Sequence, residues 1–228
     1  MNEQAIGIFD SGIGGLTVAK AIKELLPNEK IIYFGDTAHL PYGEKSESAI
    51  QDYSKAITHF LLEKNCKCIV IACNTASAFA RKQVKELAGD RIVQNVIDPI
   101  ATEAAKKNKG GTIGVIATKG TTESKNYPKA IHAINKKLIV ASLATPLLVP
   151  MIEEGFFNDN ISHIIIDNYL TDPTLKNIEQ LILGCTHFPL IEKEILEVYA
   201  EHGKSVEIIN SAEVVAKSLQ EELKNLDL

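Results

Sequence analysis

Two apolar runs of this chain end in the same way. Ile69-Val70-Ile71-Ala72 leads into Cys73-Asn74-Thr75-Ala76, and Leu181-Ile182-Leu183-Gly184 leads into Cys185-Thr186-His187-Phe188-Pro189. Each run is rich in β-branched residues or leucine, closes on a small residue and a cysteine, and is followed by helical spacing. A strand that delivers a thiol to the mouth of a helix is a βα unit. Its occurrence in both halves predicts a chain built twice from such units.

The rest of the chain fits that plan. Ala5 to Phe9 reads as a buried strand, Asp10 to Gly15 as a glycine-rich turn, and Leu16, Ala19, Ile22 and Leu25 as one face of a helix that Pro27-Asn28 ends. Ile31 to Phe34 is a second strand, followed by a polar loop from Gly35 to Lys45. Ile50, Tyr53, Ile57, Phe60 and Leu61 mark another amphipathic helix, and Cys68 to Ala72 a third strand. The second half starts again at Thr112 to Ala117, whose Thr-Ile-Gly-Val-Ile-Ala echoes the Ala-Ile-Gly-Ile-Phe of Ala5 to Phe9.

Short apolar strands alternating with helices predict mostly parallel sheets covered on both faces. The expected fold is α/β: two pseudo-symmetric three-layer α/β domains with an interdomain active-site cleft. The first domain, 1–97, carries Asp10 and Cys73; the second, 98–206, carries Cys185 and His187. The boundary falls near Asp98-Pro99, and 207–228, with the last strand and helix from about Val206 to Leu223, is expected to pack back on the first domain. In such folds ligands bind beyond the carboxyl ends of the strands, where Asp10, Asp36 and Cys73 all fall.

Composition narrows the function. A chain of 228 residues buries roughly 70–75% of its unfolded surface, so it needs no staple. The formal net charge of −5 argues against nucleic acid and anionic membranes as partners. Lys106-Lys107-Asn108-Lys109 reads as a short solvated loop. No segment approaches the ~18 apolar residues of a membrane span, and Met1-Asn2-Glu3-Gln4 has neither the charged nor the apolar region of a secretory signal. A cytoplasmic protein with free thiols is expected.

Several local patterns admit a chemical and a plain reading. Asp10-Ser11-Gly12-Ile13-Gly14-Gly15 lacks the lysine of a phosphate loop, and its acidic start repels phosphate. Asp10 could instead bind an ammonium group or hold a proton carrier; the plain reading is turn and capping chemistry. Cys73 at a helix start is expected to have a lowered thiol pKa, with nearby N–H groups for a carboxylate. Taken alone it fits packing as well, and Cys185 tips the balance towards function. His187, two residues from Cys185, could support proton transfer there. Cys66 and Cys68 lack further ligands for a metal; Cys68 reads as core and Cys66 as a strand-edge residue. In Val149-Pro150-Met151-Ile152-Glu153-Glu154-Gly155, spacing alone favours solvated carboxylates at a helix end.

Two thiols suit inversion of an amino-acid α-carbon. A base must remove the weakly acidic proton on one face and an acid must supply one on the other; a thiolate and a thiol can exchange these roles. An ordinary cysteine, with pKa ~8.5, is only a few per cent ionised near neutrality. Helix starts after both cysteines would raise that fraction and Asp10 would oppose it.

With these motifs the chain resembles the cofactor-independent aspartate/glutamate racemase family. The likeness runs from about Ile6 to Val215 and includes Phe9-Asp10-Ser11-Gly12-Ile13-Gly14-Gly15-Leu16, Tyr33-Phe34-Gly35-Asp36-Thr37-Ala38, Pro41-Tyr42-Gly43 and both cysteine segments. The resemblance implies interconversion of L- and D-glutamate without cofactor or metal, supplying D-glutamate for peptidoglycan. It implies that Cys73 and Cys185 are the opposed acid/base pair, assisted by Asp10 and His187, with Asp36 and Glu153 at acidic positions implicated in the family. Substrate contacts would come from Asp10, Ser11, Pro41, Tyr42, Gly43, Asn74, Thr75, Thr118, Thr121, Thr186 and His187, and the assembly would be a homodimer. His39 stands where the family usually has Arg. Family members usually continue a few dozen residues past the match to Leu228, with a strand and helix on the first domain. Two alternatives remain at this stage: a racemase for aspartate or another amino acid, and a non-catalytic binding protein derived from a racemase.

Overall fold

The computed structural model describes residues 4–108, 110–156 and 159–226. The chain divides into two compact units, one running through Pro99 and resuming at Ser211, the other Ile100–Asn210.

In the first unit, β1 (Ile6–Asp10) is followed by α1 (Leu16–Leu25), β2 (Ile31–Gly35), α2 (Glu47–Glu63), β3 (Cys68–Ile71), α3 (Asn74–Phe79), α4 (Arg81–Ala88) and β4 (Ile92–Asn95). The sheet is wholly parallel, in the order β2-β1-β3-β4. Its central strands are buried at every position, which is why β1 and β3 read as unbroken apolar runs. Alternate side chains serve opposite faces. Phe9, Ile69 and Ile71 join Ile50, Ile57 and Leu61 of α2 and Val84 and Ala88 of α4 in one core cluster.

The chain passes between units within α5 (Ile97–Lys107). The second unit then holds β5 (Thr112–Ala117), α6 (Lys119–Ser124), α7 (Asn126–Ile134), β6 (Ile139–Ala144), α8 (Leu148–Glu153), α9 (Asn160–Leu170), β7 (Ile178–Gly184), α10 (Glu192–Glu201) and β8 (Glu207–Ile209). Its parallel sheet has the order β6-β5-β7-β8, the order of the first sheet advanced by four strands. The expected repeat is therefore a repeat of topology. α11 (Ser211–Asn225) returns to the first unit and packs along α1, with Val215, Ala216 and Leu219 buried.

Four expectations need correction. The strand near Val206 does not rejoin the first unit: Glu207–Ile209 pairs with Gln180–Ile182 of β7, and only the helix after it returns. The buried stripe of α1 is Val18, Ala19 and Ile22, whereas Leu16, the first residue after the glycine turn, is 50% exposed. Cys66 is fully buried, with Leu61 and Cys66 filling the space that Gly7 leaves open. Lys106 and Lys107 complete the last turn of α5, and Asn108 is buried: its side-chain Oδ1 accepts the Gly110 and Gly111 N–H groups while its Nδ2 donates to Gln180 Oε1. Lys109 lies outside the described residues.

Candidate functional site

Strand pairing defines which positions of the two units correspond. Phe9 lies opposite Ile71 in the first sheet, as Ile116 lies opposite Leu183 in the second. Cys73 and Cys185 each follow two residues after those partners, so the thiols stand at equivalent points beyond the carboxyl ends of β3 and β7. Asp10 pairs with Gly35 as Ala117 pairs with Ala144. Asp36 and Thr145 are therefore equivalent, and each donates its backbone N–H to the preceding central strand, to Asp10 O at 3.0 Å and Ala117 O at 2.9 Å. Buried Thr145 was not singled out from sequence; only the pairing of β5 with β6 brings it to this rim.

The first unit surrounds its thiol with acidic and hydroxyl groups. Cys73 is the N-cap of α3, its Sγ accepting the Ala76 N–H at 3.4 Å, and its S–H reaches Ser11 Oγ at 3.7 Å. Asp10 and Ser11 are buried at the end of β1, and Asn74 and Thr75 are buried in the first turn of α3. Asp10 Oδ2 accepts the Gly12 N–H at 3.0 Å. Burial pushes the Cys73 thiol up to about 11, the Asp10 carboxylate adds to the rise, and the hydrogen bonds from Ala76 and Ser11 oppose it. The expected lowering does not occur. α3 has six residues and a correspondingly small end charge, which desolvation and a neighbouring carboxylate outweigh.

Asp36 organises the loop that follows β2. Its carboxylate accepts the Tyr42 hydroxyl at 2.6 Å and His39 Nδ1–H at 2.7 and 2.9 Å. The His39 ring stacks on Tyr53, centroids 4.0 Å apart. Tyr42 is buried, whereas Pro41 is exposed and Gly43 is half-buried, so the three neighbours differ in what they present to solvent. Burial and the bond to Asp36 both hold the Tyr42 phenol far above its ordinary pKa.

The second unit gives its thiol an imidazole. Cys185 Sγ lies 3.7 Å from His187 Nδ1, and His187 Nε2 lies 2.8 Å from Glu153 Oε1. With Nε2–H donated to the carboxylate, Nδ1 presents its lone pair to the thiol. α8 ends at Glu153, and Gly155, with φ of +78°, turns the chain immediately afterwards. Glu153 is thus a partner of His187 rather than one of two solvated carboxylates. Thr118 caps α6, accepting the Thr121 N–H at 3.3 Å and donating to Thr121 Oγ1 at 3.0 Å. Thr121, within α6, and Thr186, directly after Cys185, are buried. Among the described residues no three His, Cys, Asp or Glu side chains converge as metal ligands, and no helix is long and apolar enough to cross a membrane.

Two α/β units with parallel sheets, each with a thiol at the same point of its sheet, define the class of protein. The chain belongs to the Asp/Glu/Hydantoin racemase family, whose model matches residues 6–219. It is 46% identical to the glutamate racemase of Chlorobaculum parvum, over 95% of this chain and 78% of that protein. Among solved structures it is similar to the glutamate racemase of Francisella tularensis in complex with D-glutamate, with 40% identity and a TM-score of 0.92 over 100% of this chain and 83% of that one. The glutamate racemase isoform RacE1 of Bacillus anthracis, 39% identical, aligns with a TM-score of 0.93 over 99% of this chain and 84% of its own.

Proposed function

We infer that this protein is a glutamate racemase, interconverting L- and D-glutamate without a cofactor. The observation that carries this is the pair of thiols at register-equivalent strand ends, each with a different set of helpers, in a chain similar to glutamate racemases over nearly its whole length.

In this reading Cys73 and Cys185 are the two bases. One thiolate takes the α-proton while the other thiol delivers a proton to the opposite face, and the roles reverse with the direction of reaction. His187 accepts the Cys185 proton through Nδ1, with Glu153 fixing its orientation. A thiol with a pKa of about 11 is almost wholly protonated at neutral pH, so Cys73 needs a cation beside it to act as base. The substrate α-ammonium, drawn to Asp10, offsets the carboxylate that holds the thiol up. Ser11, Asn74, Thr75, Thr118, Thr121 and Thr186 offer hydroxyl, amide and backbone donors for the two substrate carboxylates, and Asp36 orders Tyr42 and the Pro41-Gly43 turn beside them.

The same reading makes 1–97 with the returning helix one domain and the segment from 98 through β8 the other. It makes the enzyme a cytoplasmic homodimer that supplies D-glutamate for peptidoglycan and binds neither membrane nor nucleic acid. The test is NMR of the purified, reduced protein with L-glutamate in D₂O, with circular dichroism in parallel. Loss of the α-proton signal together with decay of optical activity to zero is the expected result. A folded, reduced protein that leaves both unchanged would overturn the reading.

A further inference from the structure

Both backbone polar groups of Gly12 are held. Its N–H donates to Asp10 Oδ2 at 3.0 Å, and its carbonyl accepts the hydroxyl of Tyr33 at 2.7 Å. Tyr33 lies on β2, opposite Ile8 of β1, so its ring reaches across the strand end to the turn that follows β1.

Two glycines make this approach possible. A Cβ on Gly15 would stand 2.5 Å from Asp10 Cβ and 2.8 Å from Tyr33 Oη, so the phenol and the Asp10 side chain border one space that only glycine leaves open. A Cβ on Gly35 would stand 2.5 Å from Gly12 O, the same carbonyl that accepts the phenol. Tyr33 also feels the Asp10 carboxylate and the Cys73 thiol: burial first, then Asp10, then Cys73 push its phenol pKa upward, so the hydroxyl remains a donor at any working pH.

We propose that Tyr33 is a positioning residue for Asp10: by donating to the Gly12 carbonyl it holds the turn whose N–H fixes the Asp10 carboxylate beside Cys73. The proposal concerns the site used in the racemase reading, and its consequence for turnover rests on that reading. The geometric tie can be read without turnover, from the thiol. Asp10 opposes ionisation of Cys73, as does desolvation, so an Asp10 carboxylate freed from its place should leave the thiol easier to ionise.

The experiment is peptide-resolved mass spectrometry of iodoacetamide alkylation at about pH 8.5, where the rate at Cys73 follows its thiolate fraction. Tyr33→Phe, which removes one hydroxyl and keeps the ring, should raise the Cys73 rate roughly three- to tenfold and leave Cys185 unchanged. In an Asp10→Asn background the same substitution should add nothing, because the phenol acts through that carboxylate. Thr17→Val removes a hydrogen bond of the same kind from the same turn, at Gly14 O, and should leave the Cys73 rate within about twofold. Gly15→Ala forces the same two groups apart and should reproduce the rise, which keeps the proposal testable if Tyr33→Phe does not fold. Racemisation by Tyr33→Phe should show kcat reduced about tenfold with KM little changed. An unchanged Cys73 rate in Tyr33→Phe overturns the proposal, as does a rise of equal size with Asp10 and with Asn at position 10. A wild-type protein that does not racemise overturns the racemase reading, and the alkylation cycle still decides the tie.

Discussion

His187 holds Glu153 through Nε2 at 2.8 Å and faces Cys185 through Nδ1 at 3.7 Å, so one ring joins a carboxylate on α8 to a thiol after β7. The His187 side chain is 4% exposed and that of Glu153 is 28%, so the carboxylate anchors a buried ring from the rim. Glu153→Gln keeps the shape but weakens a charge-assisted bond. Racemisation should fall roughly 10- to 100-fold, equally in kcat/KM for the two enantiomers because their equilibrium constant is one, while the primary isotope effect with α-deuterated substrate should rise more for the enantiomer whose proton Cys185 removes. Isotope effects that change equally for the two enantiomers would count against that role.

Cys73→Ala and Cys185→Ala each remove one of the two proposed bases. Each should reduce racemisation by at least ~10²–10⁴-fold while the protein still folds. Steady-state circular dichroism of both enantiomers measures this. Full activity in either variant would exclude the two-thiol mechanism.

Alkaline pH should destabilise the fold through the same thiol. Burial and the Asp10 carboxylate push the Cys73 thiol up to about 11 in the folded chain, and burial pushes the Cys68 thiol up to about 12. The folded state therefore holds these protons more tightly, and stability falls as pH rises from 9 towards 11 and beyond. For Cys73 the loss is about 3 kcal/mol. Urea unfolding of reduced protein across that range should show Cys73→Ala losing correspondingly less than the wild type. Parallel curves for the two proteins would refute the shift.

Tyr42→Phe removes a 2.6 Å hydrogen bond and leaves the buried Asp36 carboxylate with one donor fewer. It should cost about 1–3 kcal/mol in urea unfolding. Since the same bond orders the turn proposed to meet substrate, KM for glutamate should rise more than kcat falls.

The return of α11 to α1 should be worth as much as an ordinary core contact. Leu219 is fully buried in that packing. Leu219→Ala should destabilise the protein by about 2–5 kcal/mol, measured by the same unfolding curves.

Much of this molecule is legible in its sequence. Ile69 to Ile71 and Leu181 to Leu183 could be read as strands because a parallel sheet covered on both faces wants unbroken apolar runs. Asp10, Cys73 and Cys185 could be placed at strand ends because each directly follows such a run. Period and polarity are local properties, so the chain carried both in plain view.

What the linear pattern could not carry were relations between residues distant along it. Glu153 looked like half of a solvated acidic pair, because its partner His187 lies 34 positions away on another element. Glu207 to Ile209 is too short to declare its sheet, and hydrogen bonding to β7 rather than chain order assigns it. A helix start by itself predicts an easily ionised Cys73 thiol, yet desolvation and Asp10 hold it up. Burial and through-space charge exist only once the chain has closed around a group. Sequence alone thus determined the βα alternation, the repeat and the residue types at the strand ends. Tertiary structure decided which of those groups touch and how readily each gives up its proton, because contact and dielectric depend on packing in space rather than on neighbours in the chain.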